Sequence, residues 1–134
     1  MPLNLIKLCV GVDSLDDLEN WVNSLEGEHI HTTRMTPKRK EELLDGGSLY
    51  WVIKGKTQCR QRLKDLRPFT DNEGIARCAI VMEKTLIPTL RRPVRAFQGW
   101  RYLPAHKTPQ DKKNTAPVSE PTSLTQELRE LGLI

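Results

Sequence analysis

Apolar positions occur in short runs broken by polar punctuation, and the spacing within the runs changes along the chain. LNLIKLCVGV, residues 3–12, is dense in aliphatic residues and predicts a strand buried on both faces. Ser14, with Asp17 three residues on, resembles a helix-capping pair. The helix it opens sets Leu15, Leu18, Trp21, Val22 and Leu25 on one stripe, with Asp16, Asp17, Glu19 and Asn20 outside. Trp21 then belongs to the buried face, and Gly27 ends the helix.

The period shortens at His29 to Met35, HIHTTRM, where alternation predicts a strand. Pro37 suits the first turn of a short helix, KRKEELL, stopped by Asp45-Gly46-Gly47. Ser48 to Ile53 is a second strand, followed by a turn at Lys54-Gly55-Lys56-Thr57. Residues 58–66 fit two patterns, since Cys59, Leu63 and Leu66 form a helical stripe while CRQRLKDL also alternates. The short Gly-containing turn favours a strand pairing back on Ser48–Ile53. Pro68 and Asp71-Asn72-Glu73-Gly74 read as a loop, Ile75 to Met82 as a strand, and residues 84–95, with two prolines, as an extended loop. AFQGWRYL closes the folded part.

From Pro104 the composition turns to Pro, Lys, Thr, Gln and Ser, which predicts a flexible tail over 104–134 with a weak amphipathic helix at 123–131. The expected architecture is one α+β domain over residues 1–103. It is built on a mixed or barrel-like sheet with two or three helices, and no internal repeat is visible.

A length of 134 residues fits one domain with a tail. No segment approaches the roughly 20 apolar residues that span a bilayer. The N-terminus has a single Lys before its apolar run and acids soon after, unlike a secretory signal, so cytoplasm is the expected compartment. Cys9, Cys59 and Cys78 are odd in number and form no CxxC pair, which argues against a disulfide framework or a zinc ribbon. They read as buried thiols, with a nucleophilic Cys59 or Cys78 as the alternative.

Charge divides the chain. Residues 1–30 carry one Lys against six acids, whereas residues 31–101 carry 16 Lys and Arg against seven acids, a balance of +9. Clustering of this kind makes a field that an acidic partner can use. Within the basic middle, Arg34, Lys38, Arg39 and Lys40 flank one turn and Lys54, Lys56, Arg60 and Arg62 the next hairpin. Arg91, Arg92 and Arg95 precede Phe97 and Trp100-Arg101-Tyr102. Cations neutralise phosphates and aromatic faces stack on unpaired bases, so the pattern suits nucleic acid. No RNP motif, GXXG loop or zinc finger accompanies it. Alternation puts Leu49, Trp51 and Ile53 on one face and Ser48, Tyr50, Val52 and Lys54 on the other. Trp51 and Trp100 read as core, and Tyr50 as the stacking residue.

Enzymatic signals are thinner. His29 and His31, two apart on a strand, could start a metal site, but no HxxE motif or carboxylate cluster accompanies them to supply a third ligand. His31-Thr32-Thr33 and His106-Lys107-Thr108 both match H-x-T, the doubled signature of two-histidine phosphoesterases, without its apolar surroundings. GxSxG, Walker A and GxGxxG strings are absent, and Gly46-Gly47 reads as turn chemistry.

LIKLCVGVDSLDDLENW, HTTRMTPKR, ELLDGGSLYWVIKG, CRQRL and FQGWRYL, taken together, resemble the domain-of-unknown-function family 1489, small bacterial proteins typical of alphaproteobacteria. The resemblance covers residue 3 to about residue 103 and implies no established activity. Members often continue after GWRYL with an acidic DAPxD-like stretch, where this chain has PAHKTPQD and keeps Asp111 alone. The order of short helix, GSLYWVIKG-like strand and return strand is also similar, more distantly, to the PUA and ASCH group of RNA-associated barrels. That similarity is an analogy of fold.

The leading expectation is therefore a non-enzymatic module binding nucleic acid, RNA before DNA, with no cofactor and no metal. Arg34, Lys38, Arg39, Lys54, Lys56, Arg60, Arg62, Arg91, Arg92 and Arg95 would contact phosphates. Arg34, Lys54, Lys56, Arg60 and Arg62 should border one concave surface with Tyr50 exposed at its edge. The alternatives are a phosphodiester-acting enzyme using His31 and a protein-interaction adaptor working through the C-terminal helix.

Overall fold

A 15-residue strand, Lys56–Thr70, organises the chain in the computed structural model, which describes residues 3–112. In chain order the elements are β1 (Leu3–Leu8), α1 (Leu15–Asn23), β2 (His29–Thr33), α2 (Lys40–Leu44), β3 (Ser48–Ile53), that long strand as β4, β5 (Ala76–Met82), β6 (Ile87–Pro93) and β7 (Trp100–Pro104). The alternating reading of residues 58–66 thus prevails over the helical one. β3 pairs antiparallel with the first half of β4, while β5 pairs with its second half and β6 with its start. The sheet runs β2-β5-β4-β3-β1-β7, with β6 off that path. It is mixed, because β1 and β3 are parallel and the other pairs antiparallel. Among the described residues no ladder joins β2 to β7, so the sheet is open.

Both faces of the central strands are covered, which is why β3 is buried along its whole length. On one face Leu5, Leu49, Trp51, Ile53, Cys59 and Leu63 pack under Leu18 and Val22 of α1 and Leu43 of α2. Ile6, Tyr50 and Val52 point to the other face and meet Val94, Phe97 and Leu103. Ser14 caps α1 as its position predicts, its Oγ accepting from the Asp17 N–H at 3.1 Å. Gly47 stands where a Cβ would collide with the carbonyl oxygens of Leu3 and Leu43, so this glycine serves a close approach of backbones.

Several expectations are corrected. α1 ends at Asn23, before Gly27, and Trp21 is 48% exposed, because Leu18 and Val22 are the residues of α1 buried against the sheet while Trp21 sits at the border of the stripe. α2 begins at Lys40, three residues after Pro37. Pro68 lies inside β4, and the loop is confined to residues 71–75, where the Asp71 carboxylate accepts from the Glu73 and Ile75 N–H groups. Residues 87–93, read as a loop, form β6; its prolines fall at ladder positions opposite Cys59 and Lys56, at the margin of the sheet, where a missing N–H is tolerated.

The chain does not leave the sheet at residue 103. After β7 it makes a 3₁₀ turn at Ala105–Lys107 and crosses to β6, where Leu90 N–H donates to Gln110 O and Lys112 N–H to Pro88 O. This strap, residues 105–112, covers Tyr50. The expected helix at 123–131, and with it the adaptor reading, lies outside the described residues. Among the described residues no helix is long and apolar enough to cross a membrane.

Candidate functional site

The β3–β4 hairpin turns through Lys54 and Gly55, at φ 54° and 79°, the two positive values a tight right-twisted hairpin requires. β6 runs back along β4, pairing Arg92 with Thr57 and Pro93 with Lys56, and Val94 N–H donates to Gly55 O at 2.9 Å. Lys54 and Lys56 are thereby gathered with Arg91, Arg92 and Arg95, which are far away in sequence, and all five are exposed. Lys54 lies 3.4 Å from Asp13, both side chains largely in water. The other four have no carboxylate within 4.0 Å among the described residues. Arg92 donates to the Lys107 carbonyl at 2.7 Å, which holds its guanidinium over the strap.

The remaining expected contacts lie elsewhere. Arg60 and Arg62 border a polar cleft of about 310 Å³ with Tyr50, Thr108 and Asp111. Arg60 is held in a two-pronged pair by Asp111 and also donates to Ser48 Oγ at 2.8 Å. Arg34 lines a different cavity, near Trp100, while Arg39 pairs with Glu42 and lies 5.6 Å from the Tyr102 ring centre. The Tyr102 hydroxyl accepts from the Lys38 and Arg39 N–H groups. The single concave surface expected of Arg34, Lys54, Lys56, Arg60 and Arg62 is therefore not formed. Tyr50 is 6% exposed, not a stacking platform. Burial raises its phenol pKa, and Thr108 of the strap lines the same cleft beside it.

On the opposite face, His29 and His31 converge on Trp51. His29 lies parallel to the indole at 6.4 Å and His31 edge-on at 5.5 Å. Gln61, fully buried, fixes the first of them. Its Oε1 accepts from Trp51 Nε1 at 2.7 Å, so its amide nitrogen must face the Glu83 carbonyl (2.8 Å) and His29 Nδ1 (2.9 Å). Both amide hydrogens are then donated, and His29 Nδ1 must accept, which makes His29 the neutral tautomer protonated at Nε2. Burial lowers its pKa, and Lys84 adds to the shift. His31 is lowered to about 4 by burial, with Lys7 and His29 adding to it.

These two imidazoles line a cavity of about 330 Å³ with Lys7, Trp21 and Trp51. Among the described residues no third His, Cys, Asp or Glu joins them in a metal-binding group. The doubled H-x-T reading fails on topology: His31 meets Trp51, whereas Thr108 meets Tyr50, and those adjacent β3 residues point to opposite faces. Burial pushes the Cys59 thiol up to about 12 and also raises Cys78, which removes the thiolate a nucleophile needs.

Three residues of these sites escape sequence reasoning. Gln61 gives no signal, being one more position in an alternating strand. Asp111 stands in a stretch that looks like tail. Lys7 does give one, since it is a cation at the core-facing phase that Leu3 and Leu5 set. No curated protein and no solved structure matches the chain. The model of the family described as "Protein of unknown function (DUF1489)" matches residues 5–134, well past the segment read by resemblance, and the chain belongs to that family.

Proposed function

We propose that the protein is a non-enzymatic nucleic-acid-binding module that prefers RNA. The observation that carries this reading is the gathering of Lys54, Lys56, Arg91, Arg92 and Arg95 at the hairpin end, four of them without a carboxylate partner among the described residues. Exposed unpaired cations release counterions when they meet phosphate, which drives binding. Lys54 adds a second argument. A lysine at positive φ is costly where Asn, Asp or Gly is the easy choice, and such strain is retained where the side chain has work to do.

RNA is favoured because, among the described residues, neither α-helix bears the patch. α1 carries Asp16 and Asp17 in its first turn, and in α2 Glu41 and Glu42 follow Lys40, so among the described residues no uniformly basic helix is presented to a DNA major groove. A protruding turn beside a strand end suits the backbone of an unpaired strand or loop. With Tyr50 buried, the contact is to phosphates and tolerant of sequence.

Fluorescence anisotropy with a labelled single-stranded RNA, the matching DNA strand and a duplex DNA tests this reading. Binding should be measurable at about 50 mM salt, fall by tenfold or more at about 200 mM, and rank the RNA first. Absence of binding at the lower salt, or affinity indifferent to salt, contradicts it.

A further inference from the structure

We propose that the cavity between β1, α1 and β2 is a binding site for a small planar aromatic anion, whose ring lies against Trp21 and Trp51 and whose charged group meets Lys7. It stands on different residues from the RNA patch and does not depend on it.

Lys7 is the first observation. Its ladder partners are Trp51 on β3 and Trp100 on β7, both core residues, so its side chain enters the core face with theirs. The residue is partly buried, and among the described residues no carboxylate lies within 4.0 Å of its ammonium. A cation placed inward without a counter-charge has lost hydration that an anionic ligand would restore.

His29 supplies the second. It is 1% exposed, its Nδ1 is committed to Gln61, and among the described residues nothing accepts from Nε2–H. An unanswered donor in a cavity wall is a specific feature of a ligand site, because a buried polar group otherwise finds a partner. His31, neutral at physiological pH, adds a polar edge without adding charge.

The walls complete the ligand's description. Trp21 packs edge-on to His29 at 5.1 Å yet is 48% exposed, so one indole face is open at the rim. A volume of about 330 Å³ is within the range of small-molecule sites. Aromatic walls with a few convergent polar groups and one cation select a flat ring with a carboxylate or similar anion.

The test uses the full chain with ¹⁵N-labelled histidine, titrated with 2-naphthoate and with its uncharged isostere 2-naphthamide. Naphthoate should shift the ring signals of His29 and His31 and leave His106 unmoved, and should bind about tenfold or more tighter than the amide. Lys7→Met should erase that preference while the backbone amide spectrum shows an intact fold. Trp21→Ala, at an exposed position, should weaken both ligands several-fold and serves if Lys7→Met does not fold. Absence of any histidine shift at about 5 mM naphthoate, equal binding of the amide, or a preference that survives Lys7→Met overturns the proposal.

Discussion

The Arg60 guanidinium holds the Asp111 carboxylate by two parallel bonds, Nε to Oδ1 and a terminal nitrogen to Oδ2, each 2.9 Å, across a sequence separation of 51 residues. Such a fork fixes orientation as well as distance. Here it fastens the strap of residues 105–112 over Tyr50 and Ser48, and the attraction to Arg60 holds the Asp111 carboxyl below the usual carboxylate range. Replacing Asp111 by Ala should lower unfolding free energy by about 1–2 kcal/mol, a modest figure because the carboxylate is nearly half exposed. Urea unfolding measures it, and Tyr50 should become reachable by iodide in fluorescence quenching. Unchanged stability and quenching would mean that the strap is held by its backbone bonds to β6 alone.

Gln61→Leu should be far more costly than any other polar substitution in β4. The change deprives Trp51 Nε1–H, His29 Nδ1 and the Glu83 carbonyl of their common partner, and the first two are buried. Unsatisfied buried groups of this kind cost about 2–4 kcal/mol together. Thermal and denaturant unfolding should both report the loss, with the His29 ring signals broadened as its tautomer is released.

The two imidazoles set a pH dependence. Both have folded pKa values below the ordinary 6.5, about 4 for His31, with burial the main cause. As pH falls the unfolded chain binds protons before the folded one does. The stabilisation is full above the unfolded value and is lost as pH drops through about 6.5 towards the folded values. Unfolding free energy should fall by about 1–3 kcal/mol between pH 7.5 and pH 5, and His31→Gln should remove part of that slope. A flat profile over this interval would show that the cavity does not hold the rings neutral.

Much of this core could be read from the sequence, because period-two alternation is a strong local signal. It put Trp51 on the core face, paired β3 with β4 and placed Tyr50 on the opposite face, as observed. What alternation cannot say is whether a second layer covers that opposite face. Tyr50 was expected in solvent, and the strap that buries it comes from a Pro- and Lys-containing segment with little apolar residue to mark it. β6 was hidden for a related reason, since two prolines mask a strand whose pairing is supplied by β4 and by the strap. The charge asymmetry was visible, but its division into separate groups around the sheet depends on which strand ends meet, and local pattern carries no such information.

Lys54 links stability to function. Lys54→Asn keeps the hairpin and eases the positive-φ position, so it should raise unfolding free energy by about 0.5–1 kcal/mol. The loss of its pair with Asp13 subtracts little, since both groups are largely exposed. RNA affinity should fall several-fold in the same variant. A more stable protein with undiminished affinity would show that the lysine is incidental to binding.

The most direct measurement is the salt dependence of single-stranded RNA binding by the wild type and by a variant with Lys56, Arg91, Arg92 and Arg95 all changed to Gln. These residues are exposed and outside the core, so circular dichroism should be unchanged, and melting should fall only slightly, through loss of the Arg92 bond to the Lys107 carbonyl. If they contact phosphates, the slope of log affinity against log salt should shrink by about 0.7 per cation, close to 3 for the set, and affinity at low salt should fall by two or more orders of magnitude. A variant that folds normally and keeps the wild-type slope would contradict the proposal that this hairpin end binds nucleic acid.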